Sequence, residues 1–100
     1  MKALTVREPY ASQIVAGTKR VEWRSWAPRL EPGDWFALHI AKRGNPPLGG
    51  CIVAVVEYLG VRPDGGWRLG RVRRVKPARV GGQLGLWAVP PAVERRLRRA

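Results

Sequence analysis

The chain has 100 residues, with 19 lysines and arginines against 7 aspartates and glutamates, a formal charge of +12 and 45% hydrophobic residues. That length suits one domain, 1–100, with a modest core. No apolar run is long enough to span a membrane, no secretory leader is recognisable, and the lone Cys51 excludes an internal disulfide, so a cytoplasmic protein that does not engage a membrane is expected.

Met1 to Arg7 alternates enough for a strand, and Glu8, preceding Pro9, is biased toward extended geometry. Pro9 to Ala16 reads as a short helix entered at its proline and stopped by a left-handed Gly17. TKRVEWRS, 18–25, should be a strand. Alternation places Arg20, Glu22 and Arg24 on one side, Val21 and Trp23 on the other, and leaves Lys19 at the turn free to swing either way. Residues 27–34, with two prolines and a glycine, read as a loop before a strand at 35–41. A basic, turn-rich loop follows at 42–50. Cys51 to Val61 is nearly continuous apolar sequence rich in β-branched residues, which argues for a buried strand. PDGGW at 63–67 is a turn, and 67–80 reads as an irregular strand or extended arm. Gly81 and Gly82 break the pattern, 84–89 forms a last strand, and 91–99 suits a short basic helix begun by Pro91. The expected fold is α+β and mostly β: a small barrel with a short N-terminal and a short C-terminal helix, its closure removing exposed strand edges.

Arginine supplies 15 of the cations and lysine four. Guanidinium groups bind phosphate bidentately and stack on bases, so this surface fits a nucleic-acid partner, although genome base composition or plain solvation produces the same excess. One histidine, one cysteine and scattered carboxylates do not make a metal set, and no glycine-rich loop opens a helix in the phosphate-cradling pattern. No metal or cofactor is expected. His39 and Cys51 lie in apolar strands and read as core, as do Trp35 and Trp87. Trp26, beside Arg24 and Arg29, is the candidate platform for a base, and Tyr10 is a second. Ser12, Thr18 and Ser25 have no paired base at a catalytic spacing and read as caps or turn residues.

The stretch GTKRVEWR, Gly17 to Arg24, concentrates the candidate chemistry. Lys19 beside Glu22 is either an ion pair or a tuned acid/base couple. Glu22 can accept from the exocyclic amine of cytosine while Arg24 reaches a phosphate, or the two pair with Arg7 or with each other and simply hold the helix end. Glu57, inside the long apolar strand, must be paired, exposed at the barrel mouth, or functional.

This octapeptide has the form GxKxxExR and resembles the signature of the ASCH domain, a small β-barrel family related to the PUA fold of RNA-modifying enzymes. The resemblance extends to LTVREPYASQIVAG at 4–17, to FALHIAKR at 36–43 with its HxA segment, and to GCIVAVVEYLGV at 50–61 and GQLGLWAVPP at 82–91. It implies a PUA-like barrel that binds single-stranded RNA or a modified nucleoside in a basic cleft between the first helix, the motif strand and the 42–50 loop. Lys19, Arg24, Lys42 and Arg43 are then expected on phosphate, Glu22 on a base edge, and Trp26 and Tyr10 stacked on bases. In a branch resembling amidohydrolases of N-acetylated cytidine, the motif lysine, a threonine three positions on and a further glutamate are implied as catalytic. Position 22 holds glutamate here in place of that threonine. The alternative expectation is therefore a small hydrolase, an N-acylcytidine amidohydrolase or ribonuclease, with Lys19 as base or oxyanion partner and Glu22 or Glu57 moving the proton. Protein partners are not defined by the sequence, though the helical segment ERRLRR offers a basic docking surface.

Overall fold

The computed structural model describes residues 1–45 and 47–98, with elements in the order β1 (Lys2–Val6), α1 (Tyr10–Ala16), β2 (Val21–Trp23), β3 (Trp35–Ile40), β4 (Cys51–Val61), β5 (Gly66–Arg79), β6 (Leu86–Ala88) and α2 (Pro91–Arg98). The expected elements are present; Arg99, placed by sequence in the last helix, lies outside the described residues. The segment read as an irregular strand or arm is a full strand, β5, hydrogen-bonded along β4 through several register shifts.

In β3, five successive residues, Phe36 to Ile40, are buried. A strand buried on successive residues must be covered on both faces of its sheet. Leu4, Val6, Phe36, Leu38, Ile40, Val56 and Trp67 form one core that takes in Ala11 and Ile14 of α1. Ala3, Ala37, Val55, Val75 and Trp87 form a second, which α2 closes with Leu97 and Val93. The sheet order is β2-β5-β4-β3-β1-β6, antiparallel except for the β1/β3 pair.

The sheet curls into a half-barrel, and its two edge strands, β2 and β6, have three residues each. The closure expected from sequence is therefore partial, because such short edges leave little backbone with which to pair. Arg24 spans part of the gap, donating from Nη2 to the Thr5 carbonyl at 3.0 Å.

The second core contains one polar chain. His39 Nε2 lies 2.8 Å from the Val80 carbonyl, which can only accept, so this nitrogen donates, and Nδ1 lies 3.0 Å from the Thr5 hydroxyl. Trp87 Nε1 donates to Thr5 Oγ1 at 3.1 Å. The core histidine is thus fully satisfied, as the sequence led one to expect. Gly82 covers this chain: a Cβ there would stand 2.6 Å from His39 Cε1 and 2.8 Å from Thr5 Oγ1. Gly82→Ala is expected to cost about 1–3 kcal/mol by overpacking, read as a lower midpoint in urea unfolding; an unchanged midpoint would show that the 80–82 segment moves aside freely.

Candidate functional site

The site is built from the end of α1. Gly17 adopts φ 83°, its N–H bonds to the Ile14 carbonyl at 3.1 Å, and the N–H groups of Thr18 and Lys19 both reach the Gln13 carbonyl at 3.0 Å. The Thr18 hydroxyl donates to the same carbonyl and Ser12 is bonded to Glu8, so these two hydroxyls serve the helix ends, as expected. This turn delivers the chain into β2, where Glu22 pairs in register with Trp67 of β5. Both are buried, at 5% and 0% exposure.

A carboxylate so placed requires partners, and it has two. Arg24 Nε donates to Glu22 Oε2 at 2.7 Å, while Lys19 Nζ lies 3.5 Å from Oε1 and donates to the Val21 carbonyl at 2.8 Å. Lys19 has therefore swung to the Glu22 side. With its second contact to Thr5, the Arg24 guanidinium is fixed at both ends of its fork. Arg20, expected on the same face, precedes β2 and lines a different depression with Arg62 and Arg68.

Lys19, Glu22 and Arg24 line a cleft of about 560 Å³ together with Arg7 and Tyr10 from the β1–α1 segment and Trp23 of β2. Arg7 is exposed and makes no ion pair among the described residues. The Lys19 ammonium stands 5.5 Å from the Tyr10 ring centroid. Trp23 is 55% exposed, with Arg62 at 5.8 Å from its ring. Three cations against one carboxylate, in a cleft that two exposed aromatic rings also line, can hold an anionic, planar ligand.

The remaining candidates lie elsewhere. Trp26 does not line the cleft; its ring meets Trp67 edge-on at 5.1 Å and its carbonyl accepts from Trp67 Nε1 at 3.2 Å. Lys42 and Arg43 line a separate groove, with Thr5, His39 and the 80–84 segment. Glu57 is not brought to Lys19 and Glu22: its two oxygens accept from Arg71 Nε at 3.1 Å and Nη2 at 3.4 Å, and Arg71 lies over the Trp35 ring at 5.2 Å. No group of three or more histidines, cysteines and carboxylates able to hold a metal occurs among the described residues.

Sequence reasoning left four of the cleft residues out of the site: Thr5 and Val6 of β1, and the exposed Arg7 and Trp23. Strict alternation sets Trp23 on the face opposite Glu22, but β2 is a three-residue edge strand, and its outward ring still borders the cleft. Arg7 carried one signal: it is the last residue before the Glu8–Pro9 turn into α1, where a side chain has no neighbouring strand to cover it.

Side-chain and backbone hydrogen bonds from Arg71 hold the Glu57 carboxyl below its ordinary value of 4.5, and bonds from the Met1 ammonium and Arg98 do the same for Glu94. The unfolded chain therefore binds these protons more readily, so the stability the two groups contribute is present above the ordinary carboxylate range and lost as pH falls through their lowered values. The melting temperature is expected to hold from about pH 7 to 5 and to drop below about 4.5, with a shallower drop in Glu57→Gln/Glu94→Gln. Equal acid slopes for the two proteins in thermal scans would refute this.

A family model described as the ASCH domain matches residues 4–75. No curated protein matches the chain.

Proposed function

Because the chain belongs to the ASCH domain family, we propose that its cleft binds one nucleotide unit of single-stranded RNA, or a modified nucleoside, by charge and stacking together. Family membership supports a PUA-like module of general RNA-binding type, and the cleft supports the finer reading. The observation that carries it is the Lys19–Glu22–Arg24 clamp in one cleft with Arg7, which makes no ion pair among the described residues, and with the rings of Tyr10 and Trp23. Arg24 and Lys19 each keep donors beyond those Glu22 uses, and with Arg7 they reach phosphate or a base carbonyl. Tyr10 and Trp23 supply the faces on which a splayed base stacks, and Glu22 orients the cations while accepting from an exocyclic amine.

The test is a fluorescence-anisotropy titration of a short labelled RNA across a salt series. Lys19→Ala and Arg24→Ala are each expected to weaken binding about tenfold, and each to flatten the log–log salt slope by about 0.7. Unchanged affinity in the double variant would overturn the reading.

One observation favours a second reading. Lys19 and Glu22 are both largely buried in a concave site, as a hydrolase of N-acylated cytidine would need. Lys19 would then stabilise the oxyanion, and water would be the nucleophile, since the Thr5 hydroxyl is engaged by His39 and Trp87. Chromatography of N-acetylcytidine after incubation decides it: deacylation abolished by Lys19→Ala supports an enzyme, and unchanged substrate refutes one.

A further inference from the structure

The cleft does not end at Thr5. The same residue walls a second groove, of about 540 Å³, lined by Lys42, Arg43 and Gly50 and by the 80–84 segment. Thr5 offers its carbonyl to Arg24 of the cleft, and its hydroxyl to His39 beneath the groove. Two recesses thus adjoin at the end of β1, separated by a single residue. Lys42 and Arg43 line the groove, and neither makes an ion pair among the described residues. Leu84 lines it too, 98% exposed, in a segment bounded by Gly82 and a Gly85 at φ 70°. A leucine held out in water is stabilised when a flat apolar partner covers it. Free cations next to an unburied apolar side chain are the chemistry of a phosphate joined to a base.

We propose, resting on the reading of the cleft as a nucleotide site, that the groove holds the adjoining nucleotide of the same single strand. The preferred ligand is then an oligonucleotide and not a free nucleoside. Lys42 and Arg43 take the backbone phosphates, and Leu84 lies against the neighbouring base. A single strand fits because bases must leave their stack to enter two recesses, which a duplex does not allow without unpairing.

The experiment compares cytidine monophosphate with di- and tetracytidylate RNA by calorimetric titration at one fixed salt. The tetranucleotide is expected to bind about tenfold more tightly than the mononucleotide. Lys42→Ala/Arg43→Ala should remove most of that gain, and Leu84→Ala about threefold of it, with mononucleotide affinity unchanged in both. Arg95→Ala/Arg96→Ala on α2, which removes the same charge from exposed positions elsewhere, should lose less than twofold. Circular dichroism checks that every variant is folded. Equal affinity for one and four nucleotides, or equal losses in the two double variants, would overturn the two-recess track and leave the cleft reading standing. Binding of neither ligand would overturn both.

Discussion

Trp67→Ala is expected to destabilise the protein by about 3–5 kcal/mol, which for a domain of this length means a fall in melting temperature of roughly 15–30 °C. Trp67 is fully buried, and its ring takes edge contacts from Trp26 at 5.1 Å, Tyr58 at 6.1 Å and Phe36 at 6.4 Å. Its indole N–H is bonded to the Trp26 carbonyl, so truncation leaves both a large cavity and an unmatched acceptor. Trp67→Phe restores most of the ring volume and should recover about half of the loss, the remainder reporting the N–H and the smaller ring. Urea unfolding measures both. A loss below about 1 kcal/mol for Trp67→Ala would mean that the pocket collapses around the gap.

Glu22→Ala has the second large effect, and its sign is informative. The substitution removes a negative charge from a basic cleft, so simple polyanion attraction predicts tighter binding. The geometry predicts the reverse. Without Glu22, Arg24 loses the 2.7 Å contact that fixes Nε, Lys19 loses its only carboxylate among the described residues, and two cations near a buried position are left to repel one another. RNA affinity is expected to fall about tenfold while net charge rises. Stability should fall by about 1–3 kcal/mol, the upper part of the range being reduced by the partial exposure of both cations. Tighter binding in the anisotropy titration would show that the cleft acts by charge alone.

Much of the fold was legible because its signals are local. Gly17 ends a helix in a left-handed conformation, Cys51 to Val61 carries the apolar density of a buried strand, and Pro91 starts the last helix. The reach of β5 was less so, since its arginines and register shifts break the two-residue period on which strand reading depends. Of the site residues expected from the motif, Lys19, Glu22, Arg24 and Tyr10 line one cleft. Trp26 and Glu57 lie outside that cleft for a shared reason: each meets a structural partner, Trp67 in one case and Arg71 in the other. Those partners lie 41 and 14 residues away in sequence, beyond any spacing argument. Lys42 and Arg43 were separated from the cleft by the path of β1, which the topology alone reveals.

Every residue lining the cleft falls between Thr5 and Arg24. The recess is thus written in one contiguous cassette, folded back on itself by α1, while the rest of the chain acts as the mould that holds the two ends in register. Changes of ligand can accumulate at Arg7, Tyr10, Lys19 and Arg24, which lie outside the strands, without renegotiating the sheet, and changes in the distant loops can alter length or charge without touching the recess. Selection on what is bound and selection on what is stable therefore meet at the apposition of Glu22 and Trp67, and again at Thr5, which lines the recess and is bonded to His39 and Trp87.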